Sequence, residues 1–291
     1  MFSSLPDLGV GLGYRTPLNQ DILRNRTCID FLEVITDQFI YAPPEKTEQF
    51  LEDAKAFPLV PHGIGMSIGT DMPMDEDYLR RTVEFVERTN APWFSDHLSF
   101  TKVPETDIGQ LTPLWFTEET LDVVCRNVRR VKRLTSTPFL LENITYYFPI
   151  PLGDMSEAQF ITRVLKETDC GMLLDVNNVH INSVNLKSDP FEFLKSLPLE
   201  RVVQVHIAGG RKMYGMVVDN HGASVCKEVW DILRFVVANA PVKGILLERD
   251  QDFPPFTEML DEIALARDIL QTHGRGAVGE VAFGGRQAAT V

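Results

Sequence analysis

The sequence lacks the features that mark secreted, membrane-embedded and disulfide-stapled proteins. Its cysteines are few and far apart, at Cys28, Cys125, Cys170 and Cys226, and none forms a CxxC pair. This spacing indicates neither a thiolate zinc site nor a disulfide scaffold. The first residues have no basic start and no apolar run typical of a signal peptide, and no apolar run reaches the length of a membrane span. We therefore expect a reduced, cytoplasmic protein with no membrane partner.

Positive charge is also scarce. The chain has 28 Lys and Arg against 41 Asp and Glu, which gives a formal net charge of −13. Proteins that bind nucleic-acid phosphates need a clustered basic surface, so this balance argues against a nucleic-acid partner. The 44% hydrophobic and 24% charged residues are ordinary for a globular enzyme. A length of 291 residues allows either one large α/β barrel or two ordinary domains.

The chain does contain a regular alternation of short apolar runs and amphipathic segments. The runs predict strands at 8–13, 29–35, 59–64, 93–97, 139–143, 171–176, 201–207 and 242–249. Helices are predicted at 45–57, 75–89, 117–131, 156–167, 190–197, 224–238 and 256–270, and loops at 98–116 and 177–185. Eight strand–helix units predict a single (β/α)₈ TIM barrel over residues 1–271. The glycine-rich segment 272–291 has no periodicity and is predicted to be a disordered tail.

Metal-ligand side chains stand at the ends of six consecutive predicted strands. These residues are His62, His97, Glu142, Asp175, His206 and Glu248, and Asn178, Asp219 and His221 follow in predicted loops just beyond. All strands of such a barrel point their C-terminal ends at one mouth, so all nine side chains are expected to meet there. So many mixed nitrogen and oxygen ligands indicate two or three ions of iron, manganese or zinc rather than calcium or magnesium. A bridging carboxylate such as Glu142 would hold neighbouring ions about 3.5–4 Å apart.

Taken singly, each of these residues has a simpler explanation. A strand-end histidine is more often a hydrogen-bonded core residue than a ligand, and Asp175 with the asparagines after it also fits an Asx turn. Glu248 and Arg249 also fit a buried ion pair. Further candidates for contacts to a substrate or to a ligand are Glu33, Asp37, Asn143, His180 and Arg249. For Glu33 and Asp37 a solvated loop edge is an equal alternative, and for His180 a surface position.

Eight short motifs, in this order, resemble those of the multinuclear non-haem iron-dependent oxidases. They are Gly9-Val10-Gly11-Leu12, His62-Gly63-Ile64-Gly65-Met66-Ser67, Ser95-Asp96-His97-Leu98, Leu141-Glu142-Asn143, Leu174-Asp175-Val176-Asn177-Asn178, His206-Ile207-Ala208-Gly209, Asp219-Asn220-His221 and Leu247-Glu248-Arg249-Asp250. The resemblance spans residues 8–270. It implies a TIM barrel that holds two or three irons, in a mixture of Fe(II) and Fe(III), at its C-terminal mouth.

The resemblance also implies a distribution of ligands. His62, His97 and Glu142 would serve one iron, Glu142, Asp175, His206 and Glu248 a second, and Asn178, Asp219 and His221 a third. Two positions depart from the family pattern. Gly210 stands where many members have histidine, and His180 stands where tyrosine or an apolar residue is common. The change at Gly210 concerns a contact beyond the ligands, and neither change removes a candidate ligand.

The resemblance implies an enzyme that oxidises a ribosomally synthesised peptide, usually at a cysteine residue, using O₂. Such an enzyme works as a heterodimer with a small partner protein that captures the leader sequence of the precursor or carrier peptide. The resemblance therefore implies either oxazolone and thioamide formation or excision of the cysteine β-carbon. The sequence does not choose between these two products.

Two other functions remain open at this stage. A divalent-metal sugar isomerase or an endonuclease on a related barrel also gathers His, Asp and Glu at strand ends. The acidic surface argues against the endonuclease, and an isomerase would need a lysine near the ions that these strand ends do not show. A non-catalytic metal-binding subunit of a peptide-modifying complex is the third possibility. Metal identity and O₂ consumption distinguish the three.

Overall fold

Eight parallel strands form a closed barrel in this computed structural model, which describes residues 2–274. The barrel strands are β1 Gly9–Gly13, β2 Leu32–Ile35, β3 Leu59–His62, β4 Phe94–His97, β7 Phe139–Glu142, β8 Gly171–Asp175, β9 Val202–Ile207 and β12 Gly244–Leu247. Their order around the barrel is β1-β12-β9-β8-β7-β4-β3-β2, so the first strand closes against the last. The predicted TIM barrel is confirmed.

Helices follow the strands and cover the outside of the barrel. They are α1 Asn19–Arg24, α2 Asp37–Ile40, α3 Pro44–Asp53, α4 Glu76–Arg88, α5 Glu118–Lys132, α6 Glu157–Thr168, α7 Val176–Leu186, α8 Pro190–Lys195, α9 Lys227–Asn239 and α10 Phe256–His273. Several begin at side chains that cap free backbone amides. Asp75 accepts from two amides of the first turn of α4, and Ser156 and Gln159 form a reciprocal capping box at α6.

The interior of the barrel has an apolar layer at its N-terminal end. This lower layer is made of Phe2, Phe31, Val60, Trp93, Leu140, Leu173, Val203 and Leu246, all buried. Residues of the opposite strand face, such as Leu141 and Leu174, pack in a second and larger cluster with the helices. Because side chains alternate between the two faces of a strand, Glu142 and Asp175, two places after Leu140 and Leu173, point into the barrel nearer its mouth. On β9 an irregularity in the pairing with β8 shifts the alternation, so that Gln204 and His206 face the interior and Val205 packs on the outer side. The polar strand ends therefore face inward.

Two segments that were predicted as loops are regular structure, so these predictions are wrong. Segment 98–116 contains an antiparallel hairpin, β5 Phe100–Val103 with β6 Thr106–Thr112. Segment 177–185 lies in helix α7. Its asparagines and serine suggested turns, but Asn177, Asn178 and Asn182 are buried and bond to neighbouring segments. A second hairpin, β10 Arg211–Met213 with β11 Met216–Val218, stands between β9 and the Asp219 loop.

The last helix, α10, continues through His273. The disordered tail predicted for 272–291 lies outside the described residues apart from its first positions. Within residues 2–274, no helix is both long and apolar enough to cross a bilayer.

Candidate metal centre

The polar strand ends meet at the C-terminal mouth of the barrel. The strand register places them at the same level along the barrel axis. His97 on β4 is the direct neighbour of Glu142 on β7, and Asp175 on β8 is the direct neighbour of His206 on β9. A cavity of about 400 Å³ opens here. It is lined by seven of the nine predicted ligands, His62, His97, Glu142, Asn178, Asp219, His221 and Glu248. The other two, Asp175 and His206, are fully buried next to it.

Ligand-type atoms converge in three groups whose members lie within 4.8 Å of one another. The groups are His62 with His97 and Glu142, then Glu142 with Asp175 and His206, and last Asp175 with His221 and Glu248. The first group matches the set that the resemblance implies. Glu248 falls in the third group, although one of its oxygens also lies 3.3 Å from Nδ1 of His206. Asp219 lies 2.7 Å from Nε2 of His221.

Two of the histidines have one ring nitrogen turned outward and the other turned to Glu142. In His97, Nδ1 lies 3.1 Å from the carbonyl oxygen of Gly63 and therefore donates to it. In His62, Nδ1 lies 2.8 Å from the hydroxyl of Ser95. The Nε2 atoms of His97 and His62 lie 3.2 and 3.3 Å from Oε2 of Glu142. Outer hydrogen bonds of this kind are the usual way to orient metal-binding imidazoles.

The other two histidines have carboxylates as their outer partners. Nε2 of His206 lies 2.9 Å from Glu33, and its Nδ1 lies 3.3 Å from both Glu142 and Glu248. Nδ1 of His221 lies 2.9 Å from Asp250, which leaves Nε2 facing Asp219. The carboxylate–histidine pairing is the arrangement typical of metal-bound imidazoles.

The inward-facing atoms come close but do not form hydrogen bonds with one another. Among residues 2–274, buried atoms without a hydrogen-bond partner include Glu142 Oε2, Asp175 Oδ2, Asn178 Oδ1, His206 Nδ1 and His221 Nε2. All five belong to predicted ligands. A buried polar atom without a partner is costly, and here oxygen and nitrogen lone pairs converge on shared points. The arrangement fits cations held between these atoms, and the mixed donor set fits iron, manganese or zinc.

The three imidazoles around Glu142 change the pKa of its carboxylate. Burial alone would raise the pKa of Glu142, but the neighbouring His97, His206 and His62 outweigh it and lower that pKa to about 2. Burial together with the charges of Glu142 and Asp219 raises the pKa of Asp175. Burial lowers the pKa of His62, which favours the neutral imidazole that a metal needs.

Helix α7 places two of the candidates. The Asp175 side chain caps the helix by accepting the amide of Asn178 at 2.7 Å, which leaves its second oxygen facing the other candidates. Asp175 can therefore make the Asx-type contact with one oxygen and still serve as a candidate ligand with the other. Asn143 holds this junction from β7, since its side-chain amide makes two 3.0 Å hydrogen bonds with the backbone of Asp175.

Three of the remaining candidates lie away from the cavity. Asp37, on α2, accepts from Ile64 N and the Tyr78 hydroxyl and so supports the loop after β3. His180 lies on α7, outside the three groups and the cavity lining. Arg249 pairs with Glu262 at 3.0 Å, so the alternative of a Glu248–Arg249 ion pair is wrong.

Sequence reasoning missed the residues that support the candidates from outside. Arg15 lines the cavity, bonds to Glu248 at 3.0 Å, and also pairs with Asp250. Ser95 and Gly63 hold His62 and His97, as described above. Gly63 and Ser95 stand within two of the motifs, but nothing in the sequence indicates their contacts with the histidines, and Arg15 stands three positions after the first motif.

Comparisons with known proteins confirm the family resemblance. The family described as "RiPP precursor modification enzyme MbnB/TglH/ChrH" matches residues 9–271. The chain belongs to this family. It is 37% identical over 271 residues to a UPF0276 protein of Neisseria meningitidis serogroup C, covering 91% of this chain and 96% of that protein. It is 33% identical over 299 residues to a UPF0276 protein of Haemophilus influenzae, covering 93% and 97%.

Solved structures of low sequence identity share the barrel. The 3-keto-D-glucoside 4-epimerase of E. coli has a TM-score of 0.57 at 16% identity, covering 90% of this chain and 99% of that one. The D-psicose 3-epimerase of Clostridium cellulolyticum H10 has a TM-score of 0.59 at 13% identity, covering 91% and 98%. At these identities the similarity concerns the fold and not the reaction.

Proposed function

We propose that this member of the family is an iron- and O₂-dependent oxidase that modifies a cysteine residue of a ribosomally synthesised peptide. The observation that carries the proposal is the convergence of unpartnered imidazole nitrogens and carboxylate oxygens in a buried, cavity-facing ring. Family membership supports a peptide substrate.

The candidate ligands would hold two or three irons in a mixture of Fe(II) and Fe(III). His62, His97 and Glu142 form one site, Glu142, Asp175 and His206 form another, and Asp175, His221 and Glu248, with Asn178 and Asp219 alongside, form the third. Bound iron supplies the redox chemistry that couples oxidation of the cysteine to reduction of O₂. The product is either an oxazolone with a thioamide or a residue that has lost its β-carbon.

The chain itself positions the substrate and shields the site. Apolar Ile35, Ile64 and Leu111 line the cavity along with the polar side chains, so a peptide side chain can pack against apolar surface as it enters. Arg15, held between Glu248 and Asp250, keeps one candidate ligand in place. Because the candidate ligands are buried, electrostatic interactions between these fixed groups and a substrate are stronger than in water.

Exposed apolar side chains near the mouth support the proposal of a macromolecular partner. Tyr214, at the tip of the β10–β11 hairpin, is 93% exposed, and Phe148 is 58% exposed beside Tyr147, whose hydroxyl contacts the Asp219 amide. Exposed aromatic side chains are enriched where proteins contact one another. We propose that they receive the precursor peptide and the small leader-binding partner, in a heterodimer.

Anaerobic purification, metal quantification and O₂-uptake measurements test the proposal. We expect iron in the purified protein and O₂ uptake that requires a cysteine-containing precursor peptide, with a serine version of the same peptide as the control. His97→Ala should lower bound iron and abolish uptake, whereas His180→Ala removes a histidine outside the ring and should change neither. Zinc or manganese with no O₂ uptake would instead support a sugar-isomerase-like enzyme, and iron without turnover even with the partner present would indicate a non-catalytic subunit.

A further inference from the structure

A chain of buried polar side chains crosses the barrel interior and ends on His206. Trp93, Gln204 and Glu33 are 0%, 0% and 2% exposed, and His206 is 0% exposed. Trp93 directly precedes β4, Gln204 and His206 lie on β9, and Glu33 lies on β2, so the chain spans the barrel from wall to wall. Layers inside such barrels are usually filled by branched apolar side chains. A buried polar chain in their place is costly unless each member is bonded.

The tryptophan fixes the orientation of the glutamine. The indole nitrogen of Trp93 can only donate, and it lies 2.6 Å from Oε1 of Gln204. The amide oxygen of Gln204 is therefore the acceptor, and its NH₂ group must point the other way. That NH₂ group donates to Oε2 of Glu33 and lies 3.1 Å from Nε2 of His206.

The glutamate in turn fixes the histidine. Glu33 Oε2 lies 2.9 Å from Nε2 of His206, so the same oxygen faces both the Gln204 amide and the imidazole. A carboxylate oxygen would repel an unprotonated Nε2 at this distance, and the Gln204 NH₂ group cannot accept, so Nε2 carries the hydrogen and donates it to Glu33. Nδ1 then faces Glu142 and Glu248, where it has no hydrogen-bond partner among residues 2–274.

We propose that Trp93, Gln204 and Glu33 are positioning residues that hold the ring of His206 and determine which of its nitrogens meets the metal. The inference rests on the proposed metal centre, and it extends the set of residues that build that centre to the opposite wall of the barrel. Partners that orient a metal-binding histidine typically change metal affinity about 10–100-fold when they are removed. Among residues 2–274 Trp93 makes no hydrogen bond to a candidate ligand, so an effect of its N–H group on the metal must pass through Gln204 and Glu33.

Trp93→Phe is the decisive variant, because it removes the indole N–H and keeps an aromatic ring in the lower layer. Trp230→Phe is the matched control, since Trp230 is also buried and donates its indole N–H to a carbonyl, that of Val225, at 3.1 Å, away from the cavity. Affinity for Co²⁺, used as a spectroscopic probe, is measured by competition with a chelator, together with the visible absorption of the bound ion. We expect Trp93→Phe to weaken the binding of one ion about 10-fold or more and to alter its absorption, with Trp230→Phe like the wild type.

Two further variants separate positioning from stability. Glu33→Ala should reproduce the loss of affinity, and Glu33→Gln, whose amide oxygen can still accept from His206, should recover most of it. Thermal melting is recorded for all variants. Equal affinity and an unchanged spectrum in Trp93→Phe would overturn the inference and leave the proposed function standing. Equal losses in Trp93→Phe and Trp230→Phe would also overturn it, because the effect would then be one of stability. A wild-type protein that binds neither Co²⁺ nor iron would overturn both proposals.

Discussion

The barrel interior has an apolar lower layer and a polar upper layer, the candidate metal centre, and on a given strand the two layers are two positions apart. Leu140 and Glu142 lie on β7, and Leu173 and Asp175 lie on β8; in each pair the first residue belongs to the lower layer and the second to the candidate metal centre. All four are buried. The layers therefore differ in polarity and not in exposure.

This difference shows how one set of strands serves both stability and chemistry. The lower layer stabilises the barrel by removing apolar surface from water. The upper layer cannot contribute in that way, because burial of carboxylates and imidazoles costs free energy unless they are paired or bound to metal. We therefore expect substitutions in the upper layer to affect metal content first, and those in the lower layer to affect folding first.

The largest effect is expected for Glu142→Ala. Glu142 belongs to two of the three groups and lies within 3.3 Å of three imidazoles, whereas His97 belongs to one group. Glu142→Ala should therefore lose more iron per chain than His97→Ala, and O₂ uptake should fall to background in both. Metal analysis of anaerobically prepared protein gives the comparison, and circular dichroism verifies that the barrel is still folded. Equal iron content in the two variants would mean that Glu142 does not bridge two sites.

The opposite result is expected for Leu173→Ala, two residues before Asp175. Leu173 is 0% exposed within the lower layer, so removal of its side chain leaves a cavity and should lower the free energy of unfolding by about 2–5 kcal/mol. Denaturant titration measures this loss. Iron content per folded chain should stay close to that of the wild type, and a protein that keeps its stability but loses its iron would break the distinction between the layers.

The sequence predicted the barrel and the strand-end candidates because both depend on local pattern. An apolar run that ends in a polar side chain is visible in the sequence, and barrel geometry then brings these ends together. Helix α7 was missed for a physical reason: part of its buried surface is polar. Asn182 bonds to the backbone of Ile144 and Tyr146, so tertiary hydrogen bonds replace the apolar stripe that usually reveals a helix.

The contacts of the outer partners were missed because barrel geometry brings together residues that are far apart in the sequence. Arg15 and Glu248 are 233 positions apart, and they meet only because β1 pairs with β12. Gln204 and Glu33 are 171 positions apart and meet across the barrel interior. In the sequence a glutamine within an apolar strand does not reveal that it bonds to a tryptophan just before another strand. Such contacts become predictable only when the strand order and register are known.

The smallest effect concerns Glu157, a partly buried carboxyl outside the metal centre, and it sharpens the comparison with Glu142. Glu157 lies at the start of α6 and accepts a hydrogen bond from Tyr146, but no basic side chain lines its cavity among the described residues. Burial raises the pKa of Glu157 from 4.5 to about 7, opposite to the shift of Glu142. A carboxyl whose pKa is higher in the folded state binds its proton more tightly there, so its contribution to stability is present at low pH and is lost as pH rises from 4.5 to about 7.

Glu157→Gln, which can still accept from Tyr146, should therefore raise the melting temperature more at about pH 8 than at about pH 5. The same change at exposed Glu119 is the control, and an equal effect of Glu157→Gln at both pH values would show that burial alone does not keep this carboxyl protonated.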